Sequence, residues 1–363
     1  MVAAPVATTW LTTLPPLPLT AWGRRPVGEA EAPWPLGDPR LRIFARGRHA
    51  LFHGVRALGL GQGDAVLVPA YHHGSEVEAL LRAGLEVRFY DATPALEPDA
   101  AELEALLGPS VRALHLTHFL GWPQDMARWR AWCDDRGLVL LEDAAPAFLA
   151  SRDGRPVGSA GDLAIWSVYK TIAVPDGGAL VVSPPRGPRR HGPRLVGDVA
   201  RLHAATLARR SRALSRIARP APVAYDPAAD FSLGDPSRAP SRLTLHLLPR
   251  LAQHDVAARR RARARALAAR LDARVPEPFA TIPAGASPIG LPVCSSDPGA
   301  LIAHLRRAGV HAVRLWQAPH PTLDADRHPR ANALREGLVM LPAHHGMAGE
   351  DVERVVAAME GAP

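Results

Sequence analysis

The chain has 363 residues, of which 47% are hydrophobic, 21% charged and 5% aromatic. This composition is typical of a globular protein and excludes a largely disordered chain. No run of about 18 apolar residues is present, which argues against a membrane-spanning helix. The two cysteines, Cys133 and Cys294, are too few for a disulfide scaffold or a cysteine-based zinc site, and we expect both thiols to be buried.

The formal net charge of +8 is a feature of many nucleic-acid-binding proteins. No known nucleic-acid-binding motif accompanies it, however. The densest basic run, residues 259–265, lies in a helical stretch rich in alanine and leucine. A solvent-exposed helix face is the favoured interpretation of this run, and a polyanion-binding patch is the alternative.

The N-terminal segment is uncharged from Met1 to Gly23. It lacks the basic start of a signal peptide, and four prolines interrupt any apolar helix. We therefore interpret residues 1–40 as an irregular arm and expect a cytoplasmic protein.

Helices and strands alternate from residue 48 to residue 182. The spacing of apolar residues predicts helices over residues 48–58, 75–83, 98–107 and 124–136, and strands over residues 65–69, 87–90, 111–116, 139–141, 163–166 and 178–182. Because these strands are apolar throughout, the pattern predicts a mostly parallel sheet covered by helices on both faces. Ligands bind such sheets at the carboxyl ends of the strands, where Asp143 and Lys170 lie.

The composition of the chain changes after residue 183. Residues 184–240 are rich in proline, arginine and glycine and are interpreted as a connector with one helical patch over residues 197–217. Further elements are predicted as a long helix over residues 243–272, strands over residues 288–293 and 313–316, and helices over residues 298–308 and 348–360. We predict an arm (1–40), a large domain with the connector (41–240), and the long helix with a small α+β C-terminal domain (241–363).

Lys170 is the single lysine among 43 basic residues. Arginine can replace lysine where only positive charge is needed, but its guanidinium does not lose a proton and cannot attack a carbonyl. Lys170 is therefore a candidate for Schiff-base chemistry. Chance survival of one lysine is the alternative, and the neighbouring residues must decide between the two.

Several short motifs occur in a characteristic order along the chain. They are Gly-Arg-His-Ala-Leu at 47–51, Leu-Gly-Leu-Gly-Gln-Gly-Asp at 58–64, Pro-Ala-Tyr-His-His-Gly at 69–74, His-Phe-Leu-Gly-Trp-Pro-Gln-Asp-Met at 118–126, Leu-Glu-Asp-Ala-Ala at 141–145, Ser-Val-Tyr-Lys at 167–170, Pro-Asp-Gly-Gly at 175–178 and Leu-Pro-Ala-His at 341–344. This ordered set resembles the DegT/DnrJ/EryC1/StrS family of sugar aminotransferases, which depend on pyridoxal 5'-phosphate (PLP). The resemblance is clear over about residues 40–183 and weaker over about residues 243–360.

The resemblance implies the fold-type-I aminotransferase fold, with a large α/β domain and a smaller α+β C-terminal domain. It also implies roles for individual residues. Lys170 corresponds to the lysine that binds PLP covalently, and Asp143 to the aspartate opposite the pyridine nitrogen. A helix N-cap is the alternative role for Asp143. The phosphate is expected at the helix start formed by Gly47, Arg48 and His49.

Two further positions take roles from the resemblance. Ser167, three residues before Lys170, has the spacing that places a serine hydroxyl on the phosphate in other fold-type-I aminotransferases. His73 occupies the position of the aromatic ring that stacks on PLP, with His72 as the neighbouring candidate and an ordinary loop histidine as the alternative. His320, His344 and His345 lack the carboxylates expected of a metal site, and none is predicted.

The sequence also departs from the family pattern. Pro146 stands where a glutamine or histidine usually contacts the phenolic oxygen of PLP. The asparagine that a partner subunit commonly directs at the phosphate is not evident, and Ser232, Ser237 and Arg238 occupy the corresponding region. These departures keep the substrate and the reaction type open.

The resemblance implies an aminotransferase that moves an amino group, with L-glutamate as the expected donor, to a keto sugar, which we expect to be nucleotide-linked. It also implies a homodimer with its active sites at the subunit interface. Arg314, Arg238 and Arg242 are candidates for binding a carboxylate or a diphosphate. The alternatives are another PLP-dependent reaction (elimination, decarboxylation or amination of a non-sugar ketone), a non-catalytic relative, and a polyanion-binding protein.

Overall fold

The computed structural model of the chain describes residues 10–28, 31–183 and 225–363. The helical patch predicted over residues 197–217 lies outside the described residues. Among the described residues, each helix is too short or too polar to cross a membrane.

A seven-stranded sheet forms the centre of the molecule. Its strands are β1 (Arg42–Phe44), β2 (Ala65–Pro69), β3 (Glu86–Tyr90), β4 (Val111–Thr117), β5 (Val139–Asp143), β8 (Leu163–Ser167) and β9 (Gly178–Val182), in the order β1-β9-β8-β5-β4-β2-β3. The neighbouring strands β3, β2, β4, β5 and β8 pair in parallel. Strand β9 pairs antiparallel with β8, and β1 pairs antiparallel with β9. The predicted mostly parallel sheet is confirmed. A small hairpin, β6 (Ser151–Arg152) and β7 (Arg155–Pro156), lies apart from this sheet.

Four helices connect the parallel strands. They are α1 (Gly47–Ala57), α2 (Ser75–Arg82), α3 (Ala100–Leu106) and α4 (Met126–Asp134). Val66 and Val68 of β2 belong to one hydrophobic cluster with α1 and α2, whereas Ala65 and Leu67 belong to another with α3 and α4. Alternate residues of a strand point to opposite faces, so every position of β2 is apolar because both faces of the sheet are covered.

The C-terminal part contains a smaller antiparallel sheet. Its strands are β10 (Leu291–Cys294), β11 (Val313–Arg314) and β12 (Leu338–Leu341), in the order β10-β12-β11. Its helices are α8 (Pro298–Arg307), α9 (Pro329–Gly337) and α10 (Gly349–Glu360). The sequence interpretation did not include α9 or β12, the central strand. It was also wrong about Cys294, which ends β10 and is exposed, whereas Cys133 is buried as predicted.

The single long helix predicted over residues 243–272 is wrong. The segment forms two helices, α6 (Arg242–Leu251) and α7 (Asp255–Leu271), and α5 (Pro227–Phe231) precedes them. Pro249 lacks an amide hydrogen in the last turn of α6, and Ala252 leaves the helical conformation with ψ 68°. The break allows α6 to pack beneath the large sheet while α7 packs with the smaller one. The predicted domain boundaries at residues 40 and 240 stay a prediction.

Candidate active site

A cavity lies at the carboxyl ends of β4, β5 and β8, beside the start of α1. The strand register brings these ends together, because Asp143 pairs with Thr117 on one side and Ile165 on the other. The cavity is lined by Arg46, Gly47, Arg48, His73, Ser75, Glu76, Thr117, Asp143, Ala145, Pro146, Ile165, Ser167, Tyr169, Lys170 and Trp316. Of the seven predicted site residues, only His49 is outside this lining.

Asp143 ends β5 and is only 6% exposed. Its Oδ1 accepts a hydrogen bond of 2.8 Å from the Ala145 amide, and its Oδ2 lies 3.6 Å from Nε2 of the fully buried His115. Burial raises the pKa of the Asp143 carboxyl above its usual value, against the opposing effects of His115 and Lys170. A cationic group bound beside Asp143 would therefore favour its ionised form.

The start of α1 is shaped for an anion. The N-cap residue, Arg46, provides no side-chain cap, so the first amides of the helix are available to a ligand. A Cβ atom on Gly47 would lie 2.5 Å from the Ser167 hydroxyl oxygen, so glycine is needed for this approach of α1 to β8. Glycine is also required at position 178, because a Cβ atom there would lie 2.0 Å from the Arg46 carbonyl oxygen.

Lys170 is held by a short 3-10 turn, Val168–Lys170, directly after β8. The next carbonyl, that of Thr171, accepts a hydrogen bond from the guanidinium of Arg260, which also donates to the Pro288 carbonyl at 2.7 Å. Arg260 is fully buried. It therefore connects the turn that carries Lys170 to the C-terminal part of the chain.

Tyr169 is a site residue that the sequence reasoning missed. Burial alone would raise the pKa of its phenol, but the positive charges of Lys170, Arg46 and Arg48 lower the pKa below its usual value. The Arg46 guanidinium lies 5.1 Å from the centre of the Tyr169 ring, and Tyr169 and Ser167 line the same cavity. The end of the cavity beside α1 is thus electropositive.

Glu76 was also missed, although it is buried in the cavity wall. Its Oε1 accepts a hydrogen bond of 2.9 Å from the His73 amide. Burial opposes its ionisation, but His73, His72 and His115 around it lower the pKa of Glu76 below its usual value. Tyr169 lies within the Ser-Val-Tyr-Lys motif at 167–170, but the resemblance gives it no role, and Glu76 lies outside the quoted motifs. Only their proximity to Lys170 and His73 in the sequence could have indicated them.

Two predicted histidines have structural partners. The His49 amide donates to the Arg46 carbonyl and its Nε2 lies 2.9 Å from the Leu233 carbonyl oxygen. His49 therefore does not supply an amide or a side chain to the cavity, a correction to its expected phosphate contact. His72 bonds the Pro69 carbonyl and accepts from the His320 amide, which makes it a buried scaffold residue.

A second cavity adjoins the first and forms its mouth. Its lining is mostly apolar and consists of Leu14, His73, Leu120, Pro146, Lys170, Tyr225, Asp230, Ile289, Val313, Arg314, Leu315, Trp316, Gln317 and Met340. Arg314 is therefore placed at the mouth, and its binding of a carboxylate or a diphosphate stays a prediction. Arg242 begins α6 outside both linings, and Arg238 and Ser232 line a groove on the other side of His73.

Glu142, the neighbour of Asp143, has a structural role. Its carboxylate accepts hydrogen bonds from the amides of Gly158, Ala160 and Gly161, and it lies 3.2 Å from Nε2 of His118. It therefore holds the loop that leads into β8. Within the described ranges, no group of three or more histidine, cysteine, aspartate or glutamate side chains is placed to hold a metal ion.

The sheet order and the lysine-bearing cavity at its edge define the fold-type-I aminotransferase fold. Solved structures agree: the aminotransferase TlmJ from Streptoalloteichus hindustanus is 24% identical with a TM-score of 0.66, covering 96% of this chain and 97% of that one. The S. venezuelae DesV structure, in complex with a ketimine intermediate, is 23% identical with a TM-score of 0.64, covering 88% of this chain and 83% of that one. The predicted fold class is confirmed.

The sequence comparison is more specific but covers less of the chain. Residues 43–192 match the model of the DegT/DnrJ/EryC1/StrS aminotransferase family, so the predicted resemblance is confirmed over this segment. The dTDP-4-dehydro-2,3,6-trideoxy-D-glucose 4-aminotransferase of Saccharopolyspora spinosa is 34% identical over 162 residues, which are 43% of this chain and 42% of that protein. The match thus covers about two fifths of the length of this curated relative.

Proposed function

We propose that the chain is a PLP-dependent aminotransferase that aminates a keto sugar linked to a nucleotide. The observation that carries this proposal is the convergence of three groups on one cavity: the amine of Lys170, the carboxylate of Asp143, and the uncapped start of α1 beside Ser167. Each corresponds to a different part of PLP, namely its aldehyde, its pyridine nitrogen and its phosphate.

The residues present fit this cofactor. The space kept open by Gly47 beside the Ser167 hydroxyl suits a phosphate, and the charges of Arg46 and Arg48, which also lower the pKa of Tyr169, make that end of the cavity electropositive. At the other end, Asp143 is buried and backed by His115, whose Nε2 has no hydrogen-bond partner among the described residues. Asp143 is proposed to hold a proton on the pyridine nitrogen.

When bound, PLP supplies an electron sink for the carbon that carries the transferred amino group. The Nζ atom of Lys170, once it is neutral and free, takes up and returns the proton at that carbon. Ser167 and the first amides of α1 would hold the phosphate of the cofactor. The mouth formed by Trp316, Arg314 and their neighbours excludes water and selects the substrate.

The family resemblance supports the donor and acceptor classes. The relative from S. spinosa is a dTDP-sugar 4-aminotransferase, and a relative from Streptomyces venezuelae is named dTDP-3-amino-3,4,6-trideoxy-alpha-D-glucose transaminase, 35% identical over 145 residues. We propose L-glutamate as donor and a homodimer with its active sites at the interface. Light scattering of the purified protein tests the dimer.

The absorption spectrum of the purified protein with PLP, before and after addition of L-glutamate, tests the proposal. We expect a visible band from covalently bound PLP that L-glutamate converts to the band of the amine form. Lys170→Ala should abolish the first band, and Lys170→Arg, which keeps the charge but has no free amine, should behave in the same way. Absence of the band in the wild-type protein would refute the proposal.

A non-sugar ketone is the second candidate acceptor. It is favoured by the apolar mouth, where Leu120, Ile289 and Met340 offer no hydrogen bonds to sugar hydroxyls, and by Pro146, which has no side-chain donor for the phenolic oxygen of PLP. A panel of dTDP- and UDP-linked keto sugars alongside aliphatic and cyclic ketones distinguishes the two. Assays for ammonia and carbon dioxide release detect elimination or decarboxylation.

A further inference from the structure

His73 forms a pair with an acidic residue from a distant part of the chain. Its Nε2 lies 3.2 Å from Oδ2 of Asp230, in α5. The hydrogen bond from His73 is the largest of the effects that hold the pKa of Asp230 below its usual value. Both residues line the mouth cavity together with Lys170. An acidic partner on the ring at this position is not part of the resemblance to the family.

The segment that carries Asp230 is fixed by one helix. Arg48 donates to the carbonyls of Asp230 and Ser232, both at 2.6 Å. His49 bonds the Leu233 carbonyl at 2.9 Å, and His53 bonds the Pro236 carbonyl at 3.1 Å. Because three side chains of α1 bind consecutive parts of this segment, the position of Asp230 is determined by the same helix whose start forms the anion site.

Packing fixes the His73 side of the pair. Phe231 follows Asp230 and contacts Gly74, where a Cβ atom would lie 2.5 Å from the phenylalanine ring. Gly74 has φ +108°, a conformation that favours glycine. The Glu76 carboxylate accepts the His73 amide. Three contacts therefore hold His73 and Asp230 together: the packing of Phe231 on Gly74, the hydrogen bond from the His73 amide to Glu76, and the contact between the two side chains.

The pairing determines which ring nitrogen of His73 can act as a base. Asp230 accepts at Nε2, so Nε2 carries the hydrogen and Nδ1 has a free electron pair. The Nδ1 atom is buried and has no hydrogen-bond partner among the described residues. The charged and titratable groups around the ring are Asp230, Glu76, His72, Arg48 and Lys170.

We propose that His73, oriented by Asp230, is a second catalytic residue, the base that accepts a proton from the ammonium group of the amino donor. This inference rests on the proposed aminotransferase function. An amino donor enters as an ammonium ion and must lose one proton before its nitrogen can attack. One N–H bond of the donor breaks and an Nδ1–H bond forms, so the charge moves from the donor to the His73 ring. Asp230 stabilises that charge, and because Nδ1 is buried the proton reaches water from the opposite side of the ring, through the Nε2–H bond and the partly exposed Asp230 carboxylate.

The test is the rate of the half-reaction with L-glutamate in the PLP-loaded protein, measured by stopped flow from pH 7 upward. His73→Phe keeps an aromatic ring but removes the base. We expect it to load PLP with unchanged affinity and to react about 100-fold more slowly at pH 7. The deficit should shrink as the pH approaches the pKa of the donor ammonium group, because a growing fraction of the donor then enters already deprotonated.

Asp230→Asn keeps the histidine and tests the same step should His73→Phe not fold. We expect a loss of about tenfold, since asparagine can still accept the hydrogen bond from Nε2 but no longer carries the charge that stabilises the protonated ring. Asp235→Asn, in the same segment, is the matched control and should react like the wild type. A His73→Phe rate equal to wild type, or a deficit independent of pH, would overturn the inference. Failure of the wild type to bind PLP would instead remove the proposed function itself.

Discussion

The floor and the mouth of the active-site cavity are built in opposite ways. The floor (Gly47, Asp143, Ser167, Lys170) comes from strand and helix ends within one continuous segment, and the side chains it contains are polar or charged, whereas Gly47 contributes backbone alone. The mouth comes from at least five separated parts of the chain, between Leu14 and Met340, and is mostly apolar. The family model matches residues 43–192, which include the floor but none of the mouth residues after Lys170.

The difference in construction between floor and mouth suits them to two different tasks. A parallel sheet places the carboxyl ends of its strands at one edge, so a fixed set of polar groups can be held rigidly there. The mouth depends on how the N-terminal arm, α5 and the smaller sheet pack against that edge. If the floor serves the cofactor and the mouth serves the substrates, then substitutions in the two regions should affect different measured quantities.

The largest effect is expected at Asp143. Replacing it with asparagine removes the buried negative charge proposed to face the pyridine nitrogen, and we expect the rate of amine transfer to fall by about 10²–10³-fold. Asp143→Glu should retain more activity because it keeps the charge. Asp272→Asn, at an exposed carboxylate far along the chain, is the control. Equal losses for Asp143→Asn and the control would show that the floor has no special role.

The second largest effect is expected for Gly47→Ala. The added Cβ would lie 2.5 Å from the Ser167 hydroxyl oxygen, where it displaces the serine and fills the proposed phosphate site. We expect PLP to bind about 10- to 100-fold more weakly, measured by titrating the apoprotein. Gly349→Ala is a matched control, since a Cβ there meets nothing within 4 Å. Unchanged PLP affinity in Gly47→Ala would place the phosphate elsewhere.

A substitution in the mouth should leave the affinity for PLP unchanged. Arg314→Gln removes an exposed guanidinium that can bind a carboxylate or a diphosphate. We expect KM for one substrate to rise about tenfold, with PLP affinity unchanged. Arg327→Gln, also exposed, serves as the control. A loss of PLP affinity in Arg314→Gln would contradict the division between floor and mouth.

The smallest expected effect concerns stability in mild acid. Burial lowers the pKa of His72 to about 3 and of His49 to about 4, both below the value of an unfolded histidine. Below about pH 6.5 the unfolded chain binds protons that the folded chain does not, so stability falls as the pH falls. Between pH 7 and pH 5 each histidine should cost about 1–2 kcal/mol of unfolding free energy.

Denaturant unfolding at several pH values measures this loss. His49→Gln and His72→Gln should each make the stability depend less steeply on pH, whatever their effect at neutral pH. His311→Gln, at an exposed position, should leave the slope unchanged. An unchanged slope in both buried variants would mean that these rings do not control the acid sensitivity.

The predictions from sequence were most accurate where local patterns suffice. The helices and strands of residues 47–182 agree with the structure to within a few residues, and the cavity contains Asp143, Ser167 and Lys170 as expected. The break between α6 and α7 was missed because the apolar spacing continues through it, although Pro249 offered a signal. The strand β12 was missed because it is only four residues long and follows α9 without a connecting loop.

The sequence by itself determined the strands of the large sheet and the residues that form the floor of the site. Each floor residue lies at the end of a strand or at the start of a helix, and the neighbouring residues specify that strand or helix. Only the tertiary structure decided the partners of these residues. Glu76 and Tyr169 line the cavity, His49 bonds the Leu233 carbonyl, and Asp230 contacts His73 although the two residues lie far apart in the sequence. Such contacts depend on how distant elements pack, and packing is not encoded in the spacing of any one segment.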